Sequence, residues 1–220
     1  MEKVYSTHQT YINANNQPVP SATTVLKLLN KPALANWANS MGFRRKKIKD
    51  ILDDSSLMGT NVHTMIEYEL TGKEGEITLR DEGERIRFMS HMAQFREWRS
   101  KHELTPEFME RKCTSLGYGG TIDYYGLVDG KQTILDFKTS KRFYSSMFLQ
   151  LGAYVQLVEE ELNLPVEQVA IVRINDGKHE MKLMSRAQIE PYMTTFNHLV
   201  ILYHAWFDLN LEDGWGNIHD

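Results

Sequence analysis

The sequence predicts an α/β fold: a small mixed central sheet flanked by helices, with an N-terminal helical region ahead of it. Three observations carry this. Apolar residues recur at helical spacing through roughly the first hundred positions, the period shortens to that of strands across residues 107–138, and a helix, two strands and a helix close the chain. A length of 220 residues suits one domain with a substantial core, expected here as a mainly helical part over residues 1–105, a sheet core over 106–185 and a closing helix over 186–220.

In PSATTVLKLLNKPALANWANSMG two short helices are expected, the first capped by Ser21, the second with Pro32 in its first turn, where a missing N–H costs nothing. Val62, Ile66 and Leu70 recur every four residues and Gly72 stands just past them, so residues 55–70 form a helix carrying His63. Ile86, Met89, Ala93 and Trp98 suggest a longer amphipathic helix over residues 81–101, after which Pro106 breaks the pattern. EFMERKCTS, GGTIDYYGLVDG and QTILDFKT are the strands of a meander, the last two joined at Asp129-Gly130, a strong hairpin signal. Residues 145–162 return to helical spacing. VEQVAIVRIN is a β-branched run suited to a buried strand, Asp176-Gly177 turns it into KHEMKLMS, and residues 186–210 form the last helix.

Composition narrows the function. Hydrophobic residues at 41% and charged residues at 25% are near globular averages and disfavour disorder or a fibrous repeat. No apolar run approaches the roughly 18 to 20 residues that span a bilayer. The opening MEKVYSTHQTYINANNQPVP has neither a secretory h-region nor a transit peptide's Arg-rich character, so no membrane partner and a cytoplasmic location are expected. The single cysteine, Cys113, excludes an internal disulfide and any iron–sulfur cluster or zinc ribbon needing several thiolates from this chain. Any metal must therefore use oxygen and imidazole. No GxxxxGK[ST] loop is present, so no nucleotide is implied. A net charge of −4 argues against gripping nucleic acid by bulk electrostatics. Locally, Arg44, Arg45, Lys46, Lys47 and Lys49 can neutralise phosphates or simply form a solvated helix face, and Tyr11 and Trp37 offer stacking surfaces for a nucleic-acid channel.

The stretch TIDYYGLVDGKQTILDFKTSK places Asp123, Asp136 and Lys138 on two short apolar strands. Side chains alternate along a strand, so Asp136 and Lys138 share a face while Phe137 enters the core. Alone, that couple reads equally as a surface ion pair of little worth. Asp123, on the preceding strand of the same hairpin, can approach Asp136 across the ladder, and two such carboxylates repel unless a proton or cation lies between them. Hard divalent cations prefer carboxylate, carbonyl and water oxygens, and the Phe137 carbonyl lies between the two side chains.

In chain order, GTNVH with His63, MERKCTSLGYGGTID with Glu110 and Asp123, LDFKTSK with Asp136 and Lys138, and QLGAY with Gln150 and Tyr154 resemble the motifs of the PD-(D/E)xK nucleases, in particular the RecB-like and phage exonuclease branch. Ile122 stands where the family name has Pro. The resemblance implies a restriction-endonuclease-like core and a Mg²⁺ or Mn²⁺ site built from His63, Asp123, Asp136 and the Phe137 carbonyl, with Lys138 beside the attacking water. It also implies that Gln150 and Tyr154, on one helix face, hold the lysine or the DNA backbone. Glu110 would lie near the site or face solvent, and Thr139 and Ser140 could donate to phosphate or be strand-end turn formers.

Such a metal neutralises an anionic phosphodiester, lowers the pKa of water and stabilises the transition state. The implied activity is hydrolysis of DNA from an end, in phage-type recombination, repair or degradation within a bacterial or phage-infected cell. A single-strand-annealing or other recombination protein is then a fitting partner, and an oligomer is compatible with it. An endonuclease of the same superfamily and a weakly catalytic DNA-end-binding module are the alternatives.

Overall fold

The computed structural model describes residues 11–29, 32–45, 47–175 and 177–208. A small antiparallel hairpin comes first, β1 (Tyr11–Ile12) with β2 (Pro18–Val19), which the sequence patterns did not announce. Helix α1 (Ala22–Val25) follows, capped by Ser21 accepting the Thr24 N–H at 3.0 Å, and α2 (Pro32–Phe43) opens on its proline. Helix α3 (Ile48–Thr71) starts about two turns earlier than expected and ends at Gly72, whose φ of +74° supplies the left-handed stop. Arg44, Arg45, Lys47 and Lys49 are exposed around the entry to α3, and Lys46 lies outside the described residues.

Helix α4 (Glu82–Arg99) buries Trp98 of the expected stripe but otherwise turns a different face inward. Ile86 and Met89 are 61% and 56% exposed, while Phe88, Met92, Phe95 and Trp98 are buried. Two apolar stripes compete on this helix, and the aromatic one wins because Phe95 and Trp98 meet the Phe137 ring edge-on at 5.8 and 6.0 Å.

The sheet comprises β3 (Leu104–Thr114), β4 (Gly119–Val128), β5 (Lys131–Lys138), β6 (Gln168–Asn175) and β7 (Lys178–Ser185), ordered as in the chain. All neighbours are antiparallel except β5 and β6, whose parallel pairing is permitted by the crossover through α5 (Ser145–Gln156). A long helix, α6 (Arg186–Asp208), follows β7. Pro106 lies inside β3 instead of merely preceding it: β3 is an edge strand, and the ladder slips between Pro106 and Phe108, a bulge of the kind that tolerates a residue without an N–H. Asp129 and Gly130 turn the β4–β5 hairpin with φ of +50° and +79°, as expected. In the second hairpin Asp176 lies outside the described residues, and Gly177 has φ +69°.

The sheet separates two cores. Val62 and Ile66 of α3 and Phe88, Met92 and Phe95 of α4 pack with Leu135, Phe137, Ala170 and Val172. On the other face Leu151, Ala153 and Val155 of α5 and Phe196 of α6 pack with Ile134, Val169 and Ile171. Strand alternation thus divides β5 and β6 between the two layers. The architecture is mixed α/β with a five-stranded central sheet flanked by helices, consistent with a restriction-endonuclease-like fold. Among the described residues no helix is long and apolar enough to cross a membrane.

Candidate metal centre

The β4–β5 ladder runs from the Val128–Lys131 pair to Tyr124–Leu135 and then stops. Asp123 and Asp136 would form the next pair. Instead Asp123 Oδ2 accepts the Phe137 N–H at 2.8 Å, and residues 136–138 continue their pairing with β6 alone. The hairpin opens into a fork, with one carboxylate on each prong.

Asp136 is fully buried, so the surface ion pair weighed from the sequence is excluded. Its Oδ1 accepts from Lys138 Nζ at 2.7 Å, while its buried Oδ2 has no partner among the described residues. A buried carboxylate oxygen without a donor is costly, and a cation is one remedy. Burial pushes the Asp136 carboxyl up to about 6, with Lys138 pulling against it and the Asp123 charge pushing further. Burial also raises Asp123, against His63 and Lys138. For Lys138, burial favours the neutral amine, but Asp136 and Asp123 outweigh it and the net shift is upward.

Two further elements bring groups into the fork. From α3, His63 Nε2 reaches the Phe137 carbonyl at 2.9 Å, and Nδ1 lies 3.2 Å from Glu110 Oε1 and 3.6 Å from Asp123 Oδ2. The Phe137 carbonyl can only accept, so Nε2 carries its proton, while Nδ1 faces two carboxyl groups. Burial opposes a charge on the ring, yet Asp123 and Glu110 raise the imidazole to about 9. From β3, Glu110 sits between the paired couples Met109–Tyr124 and Arg111–Ile122, facing Asp123, with a φ of +46° that is uncommon for a residue with a side chain.

His63, Glu110 and Asp123 each offer a ligand atom, all within 4.8 Å of one another. Oxygen and imidazole donors with a surplus of carboxylate suit a hard or borderline divalent ion. Asp136 is outside that trio, and its Oδ1 accepts from Lys138.

Gln150 and Tyr154 do share one face of α5, with Gln150 Nε2 donating to Tyr154 Oη at 2.5 Å. Burial, and then the charges of Asp123 and Asp136, hold the Tyr154 phenol well above its ordinary pKa, which puts it within electrostatic reach of the fork. Gly120 makes room for that ring: a Cβ there would lie 2.6 Å from Tyr154 Cε1. Gly119 similarly receives the Tyr11 ring, which is buried and hydrogen-bonded to Thr121 at 2.9 Å, so Tyr11 is no stacking surface for a base. Thr139 adjoins Gly59 of α3, and the Ser140 hydroxyl donates to the Arg142 carbonyl at 2.9 Å.

Glu110 takes the first of its two expected places, near the site against His63, while Arg173 and Asn175, which the sequence did not single out, hold the segment leaving Lys138. The polar residues in VRIN were the only signal for them, hidden in a run otherwise typical of a buried strand.

No protein-family model matches the chain, and no curated protein matches it. Among solved structures it is similar in outline to an alkaline exonuclease from Laribacter hongkongensis, at 12% identity and a TM-score of 0.34 over 70% of this chain and 85% of that one. A phage-related exonuclease from Haemophilus somnus 129PT matches at 10% identity and a TM-score of 0.33, over 86% of this chain and 96% of that one. Overlaps this shallow carry no chemistry across.

Proposed function

We propose that the chain is a divalent-metal-dependent DNA nuclease, acting as an exonuclease on linear DNA, with its centre at the β4–β5 fork. The single observation that carries the reading is the fork itself: two opposed, buried aspartates, one with an oxygen that has no partner among the described residues, beside a half-buried lysine and a histidine drawn in by acids. Asp123, Asp136, His63 and the Phe137 carbonyl would hold Mg²⁺ or Mn²⁺, and Glu110 is close enough to join them or to hold His63. The ion would supply charge neutralisation at a phosphodiester and a lowered pKa for water.

This chain's own residues supply the rest. Lys138, fixed by Asp136, presents an ammonium that orients the attacking water and offsets charge on the phosphate. Tyr154 and Gln150 hold the α5 side of the fork as a hydrogen-bonded unit. His63 would bind the ion through Nδ1, the nitrogen facing Glu110 and Asp123, with Nε2 still donating to the Phe137 carbonyl, and Nδ1 would release any proton it carries on binding. Thr139 and Ser140 border the path of the DNA backbone.

Digestion of end-labelled linear duplex, single-stranded and closed circular DNA with Mg²⁺, Mn²⁺ or EDTA tests this. Cleavage of the linear substrates that EDTA abolishes is the expected result. Equal cleavage of circles would move the reading to an endonuclease, and cleavage indifferent to EDTA would defeat the metal mechanism.

A further inference from the structure

Strand β6 is buried along its whole length, yet it carries Arg173 and Asn175 two residues apart on one face. Burying a guanidinium is costly unless each donor finds work. Arg173 is only 2% exposed and is the register partner of Lys138, so the two cations stand side by side on neighbouring strands. Glu180 on β7 neutralises Arg173, and the Phe143 ring lies under the guanidinium at 5.6 Å. Arg173 Nε is buried without a partner among the described residues, and the other donors go to the segment leaving Lys138. Asn175 Nδ2 donates to the Thr139 carbonyl, and one Arg173 nitrogen donates to the carbonyls of Ser140 and Lys141 at 3.4 and 3.1 Å.

Three successive carbonyls are thus turned toward β6. In a trans peptide the N–H points opposite to the carbonyl before it, and none of the described peptides is cis. The N–H groups of Ser140, Lys141 and Arg142 therefore face away from β6, and none meets a protein acceptor among the described residues. The exposed side chains of Lys141 and Arg142 flank them, directly after Lys138. Consecutive N–H groups turned one way between two cations suit a phosphate.

We propose that Arg173 and Asn175 are positioning residues that shape the Thr139–Arg142 segment into a grip for a nucleic-acid phosphate adjacent to the one hydrolysed at the fork. The proposal rests on the nuclease reading and names the group that would hold the substrate strand next to it.

The test measures binding of a labelled oligonucleotide to the full chain with Ca²⁺, and steady-state cleavage with Mn²⁺. Arg173→Met should weaken binding about tenfold and raise KM to match, leaving kcat within about twofold, with a salt dependence shallower by roughly one phosphate. Arg173→Lys should recover part of the affinity. A fall in melting temperature with unchanged affinity and KM would mean that the arginine only braces the loop, and would overturn the proposal. Should Arg173→Met fail to fold, the Lys141→Ala/Arg142→Ala double variant leaves the buried side chains intact: a similar loss of affinity supports the grip, and unchanged affinity overturns it. Absence of cleavage by the unaltered chain with every metal would sink the nuclease reading alone, because the binding comparison still decides the grip.

Discussion

The two ends of the β4–β5 hairpin carry the same residue type in opposite electrostatic states. At the closed end Asp129 is half exposed, accepts from His102 at 2.7 Å and from the Glu103 N–H at 2.9 Å, and its carboxyl is held below its ordinary value, by the His102 bond first. At the open end Asp136 is fully buried and pushed up to about 6. A carboxylate that serves chain reversal is solvated and satisfied. One kept at a cost to stability, with an oxygen that meets no donor among the described residues, is explained better by a task than by folding.

Removing each acid should therefore have opposite consequences. The largest effect is on cleavage: Asp136→Ala or Lys138→Ala should slow hydrolysis of linear DNA by roughly a thousandfold or more, the scale for groups that stabilise developing charge. Asp129→Asn should leave the rate within about twofold. Rates on end-labelled substrate under saturating Mn²⁺ separate the two.

Stability should carry the opposite linkages. Because the folded-state pKa of Asp136 lies above the unfolded value of 3.8, its ionisation penalty is absent below that pH and complete once the pH passes about 6. Asp136→Asn lacks that penalty but leaves Lys138 without its carboxylate, so the metal-free variant should gain relative to the unaltered chain as the pH rises from about 4 to about 8. Urea denaturation of both chains at the two pH values checks the sign. Asp129 has the reverse linkage, contributing above its unfolded pKa and losing it as the pH falls through its lowered folded value. Solvent screening keeps that contribution below about 0.5 kcal/mol.

Two smaller effects sharpen the picture of the α5 side. Gly120→Ala places a methyl against the Tyr154 ring and should cost about 1 to 3 kcal/mol by overpacking, seen in thermal melts. Tyr154→Phe removes the acceptor for Gln150 and should reduce the cleavage rate about tenfold with little change in melting, consistent with the loss of one hydrogen bond beside the reacting groups.

The same contrast explains what could be seen in the sequence. Asp129-Gly130 announced its turn because that conformation needs those residue types locally, and the i, i+2 spacing of Asp136 and Lys138 placed them on one face by strand geometry alone. Whether the pair was buried was not a local property. It depends on α5 and β6 covering that face, which only the tertiary structure decides. Glu110 was hard to weigh because its approach to His63 depends on a left-handed backbone within a strand, and Arg173 and Asn175 because a β-branched run reads as core whatever polar residues it contains. In α4 two apolar stripes were available, and the choice between them was made by Phe137, a residue some forty positions further on.

The most direct measurement is the anomalous difference density of a crystal grown with manganese. A peak at the fork within coordinating distance of the Asp123 and Asp136 carboxylates, the Phe137 carbonyl and His63 is the predicted result. An empty fork with Asp136 still bound only to Lys138, at manganese concentrations that support cleavage, would contradict the metal centre.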